Sequence, residues 1–140
     1  MTTPTPKARD AGRPADAPLI LIVDDNDKNR KLARDVLRAA GLRTLEASRG
    51  NEAIALATDH RPDVVLLDLR LPDLNGTEVA RQLRREPETE QIPVVALSAS
   101  AYAWSSDQLL AAGFDGYLRK PIDVRAFPEQ VRGYCRRASS

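Results

Sequence analysis

Short apolar runs alternate with stretches of helical period along most of the chain, and this alternation constrains the fold more than any other feature. Leu19-Ile-Leu-Ile-Val23 is an unbroken apolar run that ends in charge, the pattern of a strand buried on both faces. Asp27 to Ala40 has helical period, with Leu32, Ala33, Val36, Leu37 and Ala40 on one face and Gly41 as its stop. A short strand near Thr44 to Ala47 precedes a helix over Asn51 to His60, which Pro62 breaks. Val64 to Leu67 reads as a second fully buried strand, and Asn75 to Arg85 as a helix with Val79, Ala80 and Leu83 inward. Val94 to Leu97, a helix around Ser105 to Ala112, a strand at Gly116 to Leu118 and a last helix ending near Arg136 complete the order. Pro128 suits the first turn of that last helix and not its middle, so an irregular turn is expected before it. Five strands alternating with five helices predict an α/β protein, a parallel sheet covered on both faces and joined by right-handed crossovers.

The alternation starts late. Pro4, Pro6, Pro14 and Pro18 stud an aperiodic opening, so residues 1–17 are expected to be a flexible tail, 18–136 the folded domain and 137–140 a frayed end. A chain of 140 residues is one domain by length. Lys plus Arg number 21 against 20 Asp plus Glu, a balance that gives no reason to expect nucleic acid or an anionic membrane as partner. A single cysteine, Cys135, excludes an internal disulfide and suits a reducing compartment. No apolar run approaches bilayer length and no secretory signal opens the chain, so a cytoplasmic location is expected.

In an open α/β sheet the ligand site lies beyond the carboxyl ends of the strands, where strand order reverses. The residues just past the apolar runs are Asp24, Asp25, Asn26 and Asp27, then Asp68, then Ser98, then Lys120 and Pro121. Each has an ordinary explanation on its own. Asn26 or Asp27 would cap the first helix, and the others would be polar strand ends. Capping does not account for their coincidence on one edge. Carboxylates drawn together repel one another and have raised pKa values unless a cation joins them, and an all-oxygen anionic cluster favours magnesium.

Other site classes fit poorly. There is no G-x-G-x-x-G and no G-x-x-x-x-G-K-[ST] after the first strand, which disfavours dinucleotide and P-loop nucleotide binding. His60, the sole histidine, stands at a helix end before Pro62 and reads as a surface residue, which disfavours a Ser-His-Asp or Cys-His hydrolase. Cys135 reads as packed or half-exposed and unreactive, with no cationic partner in view.

Asp24-Asp25, Asp68 within Leu66-Leu-Asp-Leu-Arg-Leu-Pro72, Asn75-Gly76, Leu97-Ser-Ala99 and Tyr117-Leu-Arg-Lys-Pro121 together resemble the receiver domain of two-component response regulators. Asp25 to Asp68 spans 43 positions, Asp68 to Ser98 30 and Ser98 to Lys120 22. Each motif is weak alone, but five in register over about Leu19 to Arg136 are specific. The resemblance implies a flavodoxin-like (βα)5 fold with strand order 2-1-3-4-5 and a switch point between strands 1 and 3.

By that resemblance Asp68 is the phosphoacceptor, taking a phosphoryl group from a sensor histidine kinase or a histidine phosphotransfer protein. Magnesium is then held by Asp25, Asp68 and the Arg70 backbone carbonyl, with Asp24 acting partly through water. Lys120 and the Ser98 hydroxyl meet the phosphoryl oxygens, and Tyr117 enters the space that Ser98 vacates, altering the face of the fourth helix, fifth strand and fifth helix. The Lys120–Pro121 bond is expected to be cis. Tyr102 and Trp104 follow Ser98, where an exposed Trp would suit a partner contact.

Two residues depart from the usual pattern: Ser98 stands where Thr is frequent, and Arg70 is bulky and basic. With no output domain after Arg136, the chain reads as a stand-alone receiver, a monomer or weak dimer. It is expected to act on an output protein that the sequence does not name, as a self-timing phosphoacceptor and not a turnover enzyme. Two alternatives are a magnesium-dependent phosphatase of the haloacid-dehalogenase type and a phosphorylation-independent receiver-like binding module. The former wants a second acid where Arg70 stands, and the latter tends to lose the acid pocket. A flavin-binding protein would share the fold but would need a phosphate loop.

Overall fold

The computed structural model describes residues 17–98 and 106–135, without the side chains of Ser98 and Ser106. Its order is β1 (Leu19–Val23), α1 (Asp27–Ala39), β2 (Arg43–Ala47), α2 (Gly50–His60), β3 (Val64–Asp68), α3 (Gly76–Arg85), β4 (Val94–Ser98), α4 (Ser106–Ala112), β5 (Gly116–Arg119) and α5 (Phe127–Tyr134). The strands form one parallel sheet in the order β2-β1-β3-β4-β5. This is the order the resemblance implies, with the reversal between β1 and β3.

The unbroken apolar runs exist because both sheet faces are covered, and successive side chains go to opposite faces. Leu21 and Val23 of β1, Val65 and Leu67 of β3, and Val94 and Ala96 of β4 enter one core with Ala53, Ala57, Val79, Leu83 and Leu109 of α2, α3 and α4. Ile20, Ile22, Val64, Leu66, Val95 and Leu97 enter the other, with Ala33 and Leu37 of α1 and Phe127 and Val131 of α5. Two helices therefore cover one face and three the other.

The ends of the helices follow local chemistry. Asn26 caps α1, its side chain accepting from the Asn29 N–H at 3.0 Å, and Gly41 takes φ 91° beyond the helix. The buried Thr89 hydroxyl donates to the Leu83 carbonyl at 2.6 Å near the end of α3. Before α5, Asp123 accepts from the Arg125 N–H at 3.0 Å, and Pro128 lies in the first turn, after the irregular turn expected there.

Three details correct the sequence reading. Ala17, assigned to the tail, is buried, and its carbonyl accepts from Arg43 Nε at 2.9 Å, so this residue packs with the fold. Leu32 is 41 % exposed; the inward stripe of α1 is Ala33 and Leu37 with Val36 half-buried beside them, and Leu32 lies at the rim of a recess with Leu97, Pro121 and Ile122. Ala40 follows α1 as its C-cap and is half-buried. Cys135 is buried, and burial pushes its thiol pKa up to about 11, in keeping with a packed, unreactive residue. The remaining expectations for residues 1–16 and 136–140, and those for Tyr102 and Trp104, lie outside the described residues.

Candidate functional site

The register of the sheet fixes which side chains meet. Val23 pairs with Leu67 and Asp68 with Leu97, so the residues leaving β1, β3 and β4 emerge side by side. Asp24 is buried to 1 % exposure and Asp25 is exposed; one oxygen from each, with one from Asp68, lies within 4.8 Å of the others. Among the described residues no other three acidic, histidine or cysteine side chains are so placed. Lys120 reaches into the cluster from the end of β5. Its Nζ donates to Asp24 Oδ2 at 2.7 Å and to Asp68 Oδ2 at 3.3 Å. The Lys120–Pro121 peptide is cis.

The backbone completes the cradle. Asp24 Oδ1 accepts from the Asn26 N–H at 2.9 Å and Asp68 Oδ1 from the Arg70 N–H at 3.1 Å, so each carboxylate is held through one oxygen by its own loop. Gly76 lies so close that a Cβ would fall 2.7 Å from the Asp68 carbonyl oxygen and 2.8 Å from Leu69 Cα, which accounts for glycine there. Burial raises the Asp68 pKa above its ordinary value, and the neighbouring Asp24 adds to this. The Arg70 N–H and Lys120 oppose the rise without cancelling it.

Of the residues named from the sequence, Asp24, Asp25, Asp68 and Lys120 are brought together, with Arg70 bonded to Asp68 through its N–H. Tyr117 stands opposite Ala96, half-buried against the core shared with α2, α3 and α4. Ser98 ends β4, and its side chain lies outside the described residues.

Two supports were not foreseen. Arg30 of α1 holds the loop after β1 through the Asp24 carbonyl at 2.8 Å and the Asp27 carboxylate at 2.6 Å, and reaches Glu46 of β2 at 3.2 Å. Asp73, in the loop after β3, accepts from the Gly50 and Asn51 N–H groups at 2.7 and 2.9 Å. Those two N–H groups, Asn51 first, hold the Asp73 pKa below its ordinary value. Nothing in Pro72-Asp73-Leu74 tells a turn residue from a cap on a helix more than twenty positions upstream.

Fold and site together define a doubly wound α/β protein whose switch-point edge gathers three carboxylates, two of them bonded to one ammonium. Residues 20–132 match the response regulator receiver domain, and the chain belongs to that family of two-component signalling proteins. It is 39 % identical over 115 residues to the polar-differentiation response regulator DivK of Brucella anthropi, covering 82 % of this chain and 94 % of that one. The chemotaxis response regulator CheY4 of Vibrio cholerae superposes with a TM-score of 0.78 at 25 % identity, over 84 % of this chain and 98 % of that one. The receiver domain of sensor histidine kinase PA1611 from Pseudomonas aeruginosa, solved with magnesium coordinated in its active-site cleft, gives 0.77 at 30 % identity, over 84 % and 97 %. No helix among the described residues is long and apolar enough to cross a membrane.

Proposed function

We propose that Asp68 is the phosphoacceptor of this receiver and that the chain signals by carrying an aspartyl phosphate. The supporting observation is the Asp24–Lys120–Asp68 arrangement, in which one ammonium lies within 3.3 Å of a buried and a half-buried carboxylate at the switch point. Asp68 Oδ1 is held by the Arg70 N–H, which orients the carboxylate for attack on a phosphorus delivered at the sheet edge. Lys120 is placed to move from the carboxylates toward the transferring group as its negative charge arrives.

The donor set fits magnesium, being all oxygen, anionic and partly exposed. Asp25, Asp68 and the Arg70 carbonyl would hold the ion, with Asp24 partly through water, and the ion would neutralise phosphoryl charge. The phosphoryl donor is a sensor histidine kinase or a histidine phosphotransfer protein, and the receiver of the signal is an output protein. Ser98 and Tyr117 carry the change from the site to the face of α4, β5 and α5. The aspartyl phosphate hydrolyses in place, which makes the protein a self-resetting cytoplasmic switch and not a turnover enzyme.

Incubation with acetyl phosphate and magnesium, followed by intact mass, tests this. One phosphoryl adduct is expected, absent without a divalent cation and absent in Asp68→Asn, which keeps the shape and removes the nucleophile. Wild-type labelling of that variant would overturn the assignment. In magnesium titrations Asp25→Ala should lose far more affinity than Asp27→Ala, because Asp27 is engaged with Arg30 at 2.6 Å. Equal losses would place the metal ligands elsewhere.

A further inference from the structure

We propose that Asp73 is a positioning residue for the Asp68 site, latching the loop after β3 to the amino end of α2 and thereby setting magnesium affinity and aspartyl-phosphate lifetime; this rests on the function proposed above. The loop from Leu69 to Asn75 carries Arg70, whose N–H fixes Asp68 Oδ1. It closes on itself through an Arg70–Asn75 bridge and the Gly76 N–H to Leu69 carbonyl bond at 3.0 Å. These bonds shape the loop without tying it to a neighbouring element. Asp73 supplies that tie, because both of its oxygens bond to α2, 22 and 23 positions away along the chain.

α2 in turn needs this carboxylate. Its own N-cap, Arg49, makes no side-chain capping bond; Glu52 takes the Ser48 N–H at 2.9 Å, and Asp73 is the charged acceptor for the first two N–H groups of the helix itself. Packing joins the same two segments independently. A Cβ on Gly50 would lie 2.8 Å from Val79 Cγ2 and 3.0 Å from Leu74 Cβ, so the α2 terminus sits hard against the residue next to Asp73 and against α3. A displacement of α2 therefore reaches Arg70 through one short loop, and Asp68 through the Arg70 N–H. The Asp73 carboxylate bonds to Gly50 and Asn51 and not to Asp68 or Lys120; it acts through the loop.

The test uses the full chain with Asp73→Ala and Asp73→Asn, below the temperature at which either begins to unfold. Magnesium affinity is read by calorimetry, and decay of the acetyl-phosphate adduct by intact mass. Asp73→Ala is expected to weaken magnesium binding about tenfold, as loss of a supporting partner does at metal sites, and to change the decay rate. Asp73→Asn, which keeps one acceptor oxygen, should fall between wild type and Asp73→Ala. A purely structural cap would lower the melting temperature and leave affinity and decay at wild-type values, and that result overturns the proposal. If Asp73→Ala does not fold, Asp73→Asn decides alone, and wild-type affinity and decay in it count against the latch. Magnesium affinity reads the loop without phosphoryl transfer. A wild type that binds magnesium in an Asp73-dependent way but takes no adduct fails only the phosphoacceptor reading, whereas one that binds no magnesium fails both.

Discussion

At the amino-terminal ends of the strands Asp63 accepts from the Leu19 N–H at 2.8 Å and Asp115 from the Val94 N–H at 2.8 Å, whereas at the carboxyl ends Asp24 and Asp68 converge on Lys120. Acids and bases occur at both ends, but they are matched differently. At the amino end Asp115 also pairs with Arg84, which donates to the carbonyls of Gly113, Glu90 and Ile92 at 3.0, 2.8 and 2.7 Å. One guanidinium there ties the end of α3 to the segments entering β4 and β5, and its charge is met by a carboxylate. At the carboxyl end three carboxylates face one ammonium, and burial disfavours the ionised form of Asp68. A balanced set of charges holds the fold; an unbalanced one holds acceptor capacity for an incoming cation. The difference marks the functional edge without reference to any relative.

The largest effect should come from the balanced end. Arg84→Ala removes four bonds and leaves Asp115 without its guanidinium, at a cost of about 1.5–3 kcal/mol, the range for hydrogen bonds to charged groups. Urea unfolding measures this directly. A loss below experimental error would mean that the amino-end network contributes no more than exposed ion pairs do, and the contrast between the two ends would lose its stability side.

The unbalanced end should respond with the opposite sign. Asp68→Asn without magnesium should stabilise the protein by about 0.5–2 kcal/mol, as relief of a strained functional site commonly does. The pH dependence follows from the direction of the shift. With the folded pKa of Asp68 above the unfolded one, the folded state binds its proton more tightly, so this group favours folding below the unfolded pKa. The advantage is lost as pH rises through the folded pKa. The gain in Asp68→Asn should therefore be full at neutral pH and shrink on acidification. A variant less stable than wild type at neutral pH would show that Lys120 already balances the cluster.

Much of this contrast was legible in the sequence on one side only. Asp24, Asp25, Asp68 and Lys120 stand just past apolar runs, and the chain direction of a parallel sheet puts all such residues on one edge. Arg84, Asp115, Arg30 and Asp73 were not foreseen. Each acts across 3 to 31 positions through side chains, and periodicity carries no information on which backbone group a surface carboxylate will meet. Leu32 was misplaced for a related reason. Helical period groups it with Ala33 and Val36, but only the packed positions of α5 and of the chain after Lys120 decide which side of that stripe is covered.

The smallest expected effect sharpens the view of the amino end. Arg61 follows α2 with φ 47°, and its N–H bonds to the Ala57 carbonyl at 2.9 Å, so a non-glycine residue holds the left-handed conformation that ends this helix. Pro62 comes next, then Asp63, which anchors the start of β1. The left-handed region costs an L-residue about 1–2 kcal/mol, and glycine avoids that cost while losing more chain entropy on folding, about 0.5–1 kcal/mol. Arg61→Gly should therefore stabilise the protein by no more than about 1 kcal/mol, read as a shift of the urea midpoint at constant slope. The gain should be the same with and without magnesium, because Arg61 is remote from the acid cluster and lies on the end of the sheet where charges already balance. A magnesium-dependent gain would show that the two ends are energetically coupled through α2.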